Sequence, residues 1–230
     1  MFSELIESLR CVNAHESTGL VAIADETLER DIIRGSLGCQ HCKASYPVAG
    51  AVADFRLGRA GVAFPPAKTR PADDLAMRAG ALLGLAEPGG VVVLAGAWAA
   101  CAPEIAAIAE PVRVLALDAP PGIASGAGVS LARTAGEIPL RAGTARGVAL
   151  DAAHATASYL ESAAAAVSSR GRLVAPATAP VPAGFTELAR DERDWVAEKL
   201  PVETIVPLAR APRGAGGAGG AAGQSPPAPS

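Results

Sequence analysis

The sequence predicts an α/β protein: a mainly parallel sheet with a small α+β unit in front of it, stapled by a metal. Three observations lead there. Between Asp73 and Ala211, helical apolar spacing alternates with short β-branched runs, the pattern of βαβ units. Ahead of that region, Cys and His fall in two closely spaced pairs. Finally, 50% of the residues are hydrophobic but only 3% are aromatic, so the core is alanine-rich and buries little area per residue.

Composition divides the 230 residues into four stretches. Residues 1–58 carry three of the four Cys and two of the three His. "GRAGVAFPPAKTRPADD" has a Pro-Pro pair and no apolar period, and reads as a linker over 59–72. Residues 73–211 form the sheet region. The tail over 212–230, "PRGAGGAGGAAGQSPPAPS" with its first residues, is too poor in large apolar groups to bury a core and is expected to be disordered.

In the sheet region, "DDLAMRAGALLGLAE" spaces Leu75, Leu82, Leu83 and Leu85 as a helix does, with Asp73 or Asp74 as a cap. "EPGG" ends it. "VVVLAG" has the all-apolar character of a strand buried on both faces. "APEIAAIAE" is helical, with Pro103 suited to a first turn. "VRVLALD", "GVSLA" and "GVALDA" follow as strands, then a helix through "HATASYLESAAAAVSS", then the strand "GRLVAPA". "DERDWVAEK" alternates charge and reads as a solvated helix with Trp195 as a buried anchor, and "ETIVPLARA" as a closing strand.

Charge and composition exclude several functions. The net charge is −3 with no dense Lys/Arg stripe, which argues against extended nucleic-acid binding, since that needs phosphate neutralisation and stacking platforms. "MFSELIESLRC" has acids where a cationic leader would sit, and "VVVLAGAWAACA" is shorter than the roughly 20 residues of a membrane span. The expectation is a soluble cytoplasmic protein without a membrane partner. In that compartment thiols stay reduced, so the Cys are read as metal ligands or buried residues.

Cys11 and His15 are separated by three residues, and Cys39 and Cys42 by two. Each pair can reach one metal from a single turn, and together they supply the four N/S donors of tetrahedral zinc. Gly38 suits a tight knuckle. His41, between the second pair, would point away and is a spare. A unit this small seldom folds on its core alone, and a metal is a usual remedy. Four protein ligands close the site, so the zinc would be structural. The alternative is a set of reduced, partly buried thiols without metal.

"LIESLRC…H…GSLGCQHCKASYPVAGAVADF" resembles the small zinc-ribbon family of methyltransferase activators (Trm-one-twelve-like) over about the first quarter of the chain. "GSLGCQHC" and "YPVAGAV" carry the match. "CVNAH" stands where the family has Cys-Pro-x-Cys, so His15 replaces a thiolate at an offset changed by one. The resemblance implies a zinc unit that contacts a methyltransferase or a similar partner. The following region resembles a class I S-adenosylmethionine-dependent methyltransferase, a Rossmann-like fold, through "LLGLAEPGGVVVLAG", "VRVLALD", "GEIPLRAGTARGVALDAA" and "GRLVAPA".

That second resemblance implies cofactor contacts at Gly96 and Asp118, the latter toward ribose hydroxyls. The departures concentrate in the same places. The family's acid followed by Gly-x-Gly-x-Gly is here "VVVLAGAWAAC": only Gly96 remains, and Trp98 adds bulk. Arg133 and Arg146 stand where acids are expected. Asp151 and His154 lie at the expected end of the fourth strand, where a helix cap and a rim histidine are the plainer reading. Cys101 reads as an inert buried thiol. No nucleophile elbow, phosphate loop or paired carboxylates are present in the sequence. The leading expectation is a methyltransferase-like protein with structural zinc, non-catalytic or weakly catalytic because its glycine loop is eroded. Two alternatives stand: an active S-adenosylmethionine-dependent enzyme, and a regulatory subunit that docks on a separate methyltransferase.

Overall fold

The computed structural model describes residues 1–61, 72–86, 88–108 and 112–201. Its strands form one eleven-stranded sheet in the order β1-β2-β3-β4-β7-β6-β5-β8-β9-β11-β10. The strands are β1 (Leu20–Leu28), β2 (Asp31–Cys39), β3 (Ser45–Ala49), β4 (Val52–Asp54), β5 (Val91–Ala95), β6 (Arg113–Leu117), β7 (Val129–Arg133), β8 (Ala145–Ala149), β9 (Val167–Pro176), β10 (Phe185–Arg190) and β11 (Asp194–Lys199). The helices are α1 (Ala72–Leu83), α2 (Ala102–Ile108) and α3 (Ala157–Ala166), with short 3-10 helices at Ser3–Ser8 and Gly96–Cys101.

The run β7-β6-β5-β8-β9 is parallel throughout. It is the three-two-one-four-five order of a Rossmann-like sheet, followed by the antiparallel hairpin β11-β10. The expected α/β class holds, with one difference. The sheet is parallel only at its centre, because β1, β2 and β3 add an antiparallel edge. β4 joins that edge to the centre by pairing in parallel with β7, Val52 opposite Leu131 and Asp54 opposite Arg133. Gly50 and Ala51, both at positive φ, make the two-residue turn between β3 and β4.

Side chains alternate along each strand, and the two faces are sorted accordingly. Val92, Leu94, Val114 and Ala116 face α1 and α2. Val93, Ala95, Leu115 and Leu117 face α3 and the N-terminal segment, and share a core with Leu5, Leu9, Tyr46 and Phe55. The stretch 1–58 and the stretch that begins at 73 therefore contribute to one sheet and share the core on its α3 face.

Some expectations change. α1 begins at Ala72, so Asp73 and Asp74 lie inside its first turn rather than at a cap. "DERDWVAEK" is a hairpin turn and a strand, not a helix. Asp191 accepts from the backbone N–H of Arg193 and of Asp194, both at 2.8 Å, which closes a turn of the kind Asp favours. Arg78 on α1 then grips Asp191 and Asp194 at 2.8 Å each. Trp195 is fully buried, as expected of an anchor, and its indole N–H donates to the Ala179 carbonyl. Gly38 lies within β2, and the knuckle after Cys39 is turned by Lys43, at φ +62°. The strand expected in "ETIVPLARA", the tail over 212–230 and most of the linker fall outside the described residues. Among the described residues no helix is long and apolar enough to cross a membrane.

Candidate functional site

Two clusters of polar side chains stand out. The first brings together Cys11, His15, Cys39 and Cys42, with one donor atom from each within 4.8 Å of all the others. Cys11 follows the first 3-10 helix and is tied by its N–H to the Thr18 carbonyl. Cys39 ends β2, and the Lys43 N–H returns to its carbonyl at 3.0 Å, the short turn that places Cys42. Cys11 and Cys42 sulfurs are 3.6 Å apart, and Cys39 Sγ is 3.6 Å from His15 Nε2. Zinc bonds of about 2.0–2.3 Å in a tetrahedron separate donors by roughly 3.3–3.8 Å; these two separations match, and with all four donors within 4.8 Å of one another the set could hold that ion.

The surroundings orient the donors. His15 Nδ1 is 2.7 Å from the Glu16 carbonyl. A carbonyl only accepts, so Nδ1 carries the proton and Nε2 is left as a ligand. The Tyr46 hydroxyl sits 3.0 Å from Cys11 Sγ and accepts from the Val12 N–H. Asn13 donates its side-chain amide to Cys42 Sγ at 3.3 Å. The Cys42 thiol is pushed down to about 6, first by a backbone N–H at Ala44 and then by Asn13. His41 lies outside the donor set, its ring 4.6 Å from that of His15.

The second cluster lies where the strand order reverses, at the C-terminal ends of β5, β6 and β8, the place where open α/β sheets hold ligands. Asp118 follows β6 at φ +48° and is 7% exposed. Thr134 donates its N–H to Asp118 Oδ1 at 3.1 Å and its hydroxyl to Oδ2 at 2.6 Å. The Tyr159 hydroxyl, 2.7 Å away, then donates to Thr134. His154, 1% exposed, reaches Asp118 through Nε2 at 3.2 Å and Asp151 through Nδ1 at 2.6 Å. Burial works against a charged imidazole there, but hydrogen bonds to Asp118 and then Asp151 outweigh it and raise the group to about 9. Burial likewise opposes the Asp151 carboxylate, yet His154 and the Ala97 N–H hold it below the usual range.

Asp151 also meets Gly96. A Cβ at Gly96, which sits at φ +61°, would stand 2.1 Å from Asp151 Oδ2, and the Ala97 N–H donates to that same oxygen at 2.9 Å. His154 is thus a buried bridge between two carboxylates, not a rim residue. Trp98 does not enter the crevice; it belongs to the core under α1 and α2. Cys101 is buried, donates to the Trp98 carbonyl at 3.2 Å and has its thiol pushed up to about 12 by burial, as an inert thiol should. Arg146 lies in β8 and bonds the Gly84 and Gly89 carbonyls beside the start of β5, at the opposite edge from Asp118. Arg133 ends β7, exposed.

Sequence reasoning passed over Thr134, Tyr159 and Tyr46. One signal was available: the chain has only two Tyr, and each braces one of the two clusters.

No protein-family model matches this chain, and no curated protein matches it. Among solved structures it is similar to a candidate sarcosine dimethylglycine methyltransferase from Galdieria sulphuraria, at 14% identity over 45% of each chain with a TM-score of 0.35. It is similar to the pyocyanin biosynthetic protein PhzM at 19% identity, over 56% of this chain and 55% of that one, with a TM-score of 0.40. A chain of the complex between the Haloferax volcanii Trm112 methyltransferase activator and a candidate methyltransferase matches at 17% identity, over 47% and 61%, with a TM-score of 0.33. The chain spans about half the length of these structures. Values this low leave the strand order, not these likenesses, as the ground for the fold.

Proposed function

We propose that the chain is a methyltransferase-like protein that transfers methyl groups weakly or not at all, with a structural zinc ion held by Cys11, His15, Cys39 and Cys42. The observation that carries this reading is the Asp151 carboxylate at Gly96. In a Rossmann-like sheet the cofactor approaches the turn after the first strand of the order and uses its free N–H groups. Here the Ala97 N–H is already given to Asp151, and both Asp118 oxygens accept from neighbours within the protein. S-adenosylmethionine would have to displace a charged, paired histidine to reach Gly96 and Asp118.

An active enzyme needs the segment from Asp151 to His154 to leave the crevice. A regulatory subunit that docks through its zinc unit on a separate methyltransferase is less well supported, because β4 already pairs with β7 of the same chain. The division at 58 and 73 is kept as one of composition and metal dependence, and a reducing, cytoplasmic setting suits the free thiols.

Calorimetric titration of the purified chain with S-adenosylmethionine tests the function. No binding in the micromolar range is expected; micromolar binding, or methyl transfer at the turnover of an ordinary enzyme of about 1 per second or more, would overturn the reading. Metal analysis tests the zinc: one ion per chain, lost in Cys39→Ala. Zinc content unchanged in that variant would remove this donor set.

A further inference from the structure

Closing the crevice at β5 leaves an opening beside it. A cavity of about 390 Å³ lies at the ends of β4, β6 and β7. We propose that this cavity binds a small organic phosphate through Arg133 and Arg56, in place of a sulfonium cofactor. The inference rests on the reading above that the β5 side is shut.

Charge at the cavity favours an anion. Asp118 lines its inner end, but Thr134 and His154 occupy that carboxylate from within, so it faces the cavity already satisfied. Arg56 and Arg133 line the other side. Arg56 gives Nε and Nη2 to Asp54, and its Nη1, on the side of Gly61, makes no hydrogen bond among the described residues. The Arg133 guanidinium makes no hydrogen bond or ion pair among the described residues, although it stands near enough to Asp54 to help depress that carboxyl. Two guanidinium groups therefore share one outer carboxylate. A ligand carrying a sulfonium and an ammonium would meet uncompensated positive charge, whereas a phosphate would complete it. Phosphate suits the Arg133 fork together with the remaining Arg56 nitrogen better than a carboxylate does, because it offers three terminal oxygens and up to two charges.

Size and lining supply the rest of the ligand. The volume falls within the range of about 300–1,000 Å³ typical of small-molecule sites, far more than an inorganic phosphate fills. Val52, Leu131 and Ile123, with the Pro120–Pro121 loop, give it an apolar wall. The occupant thus has an apolar or ring-shaped body with the phosphate at one end.

The test uses the full zinc-loaded chain and four probes in calorimetry: AMP as ring plus phosphate, adenosine as ring alone, inorganic phosphate, and S-adenosylmethionine. AMP is expected to bind roughly tenfold or more tightly than adenosine or phosphate. Arg133→Gln, at an exposed strand end, is expected to weaken AMP at least about tenfold with unchanged thermal stability. Adenosine binding as well as AMP, or AMP affinity indifferent to Arg133→Gln, would overturn the inference. Binding of none of the four would overturn it while leaving the non-catalytic reading intact. Micromolar binding of S-adenosylmethionine would overturn both.

Discussion

Replacing His154 with glutamine removes the one cation between two nearly buried carboxylates, and its cost follows from the geometry. His154 is 1% exposed, with Asp118 at 3.2 Å and Asp151 at 2.6 Å. Its pKa rises from 6.5 to about 9. At about 1.36 kcal/mol per unit, a difference of about 2.5 units corresponds to about 3 kcal/mol of folding stability. The folded value lies above the unfolded one, so the contribution is fully present below about pH 6.5 and is lost as pH rises through about 9. The other groups packed on the ring do not titrate in that window. Tyr159, edge-on at 5.0 Å, has its phenol raised by burial, Thr134 is neutral, and Arg56, whose charge is felt at Asp118, is raised further by its pairing with Asp54. Urea midpoints of wild type and His154→Gln at pH 6, 8 and 10, with zinc saturating, read the effect. The gap between the two proteins is expected to be largest at pH 6, on the order of 3–5 kcal/mol as for a broken buried pair, and to shrink by about 3 kcal/mol by pH 10. A gap that stays constant over that range would mean that the imidazole is neutral in the folded protein and that the two carboxylates are held apart by other means.

Three further perturbations separate the parts of the structure. Gly96→Ala forces a Cβ to within 2.1 Å of Asp151 Oδ2 at φ +61° and is expected to cost about 2–4 kcal/mol; combined with Asp151→Ala the loss should be at least about 1 kcal/mol less than additive in urea unfolding, and strict additivity would refute the contact. Tyr46→Phe removes the hydroxyl between Cys11 Sγ and the Val12 N–H; zinc affinity measured against a chromophoric chelator is expected to fall about 10- to 100-fold, and unchanged affinity would show that the hydroxyl does not orient the thiolate. Trp195→Ala empties a fully buried site in β11 and is expected to cost about 3–5 kcal/mol, whereas an effect under about 1 kcal/mol would contradict its burial.

How much of this was legible depends on where the partners lie in the chain. The central strands were legible where short apolar runs meet a core on both faces, as at Val92–Ala95 and Val114–Leu117; in β9 only the part from Gly171 onward was, and Val167–Ser169, expected to end a helix, begin the strand instead. The Cys/His cluster was legible because each pair is local: three residues separate Cys11 from His15, and two separate Cys39 from Cys42. The β10-β11 hairpin was not. "DERDWVAEK" satisfies a helical charge pattern by itself, and what decides against a helix is the turn closed by Asp191 and the grip of Arg78, 113 residues away. The role of His154 was hidden for the same reason. Its exposure depends on Asp118, 36 residues earlier, which the parallel strands bring alongside. Trp98 misled in the other direction: its bulk suggested a filled crevice, while the 3-10 helix Gly96–Cys101 places it in the core under α1 and α2 and leaves the filling to Asp151.

The join between the two parts of the sheet shows what an ion held by the Cys/His cluster would do at this end of it. Without β4, the outer edge of β7 would carry unpaired backbone groups on a largely apolar strand, a template for aggregation. β4 covers that edge with only three residues, extended by the Phe55 N–H to the Arg133 carbonyl at 2.8 Å. A parallel pair this short contributes little by itself, so its position must be set by what stands behind it. That support is the packing of Tyr46 on Phe55, ring centroids 4.8 Å apart, in the same core as Leu115, Leu117 and Tyr159. Tyr46 is fixed in turn by its hydroxyl at Cys11, and Cys11 sits in a loop that a bound ion would pin to the β2–β3 turn. The chain of contacts runs from the metal donors through Tyr46 and Phe55 to the edge of β7. The N-terminal segment adds direct ties to the same edge, from the Phe2 N–H to Ser130 Oγ in β7 and from Arg10 to Glu137, and an ion held by the Cys/His cluster would brace it further through Tyr46 and Phe55.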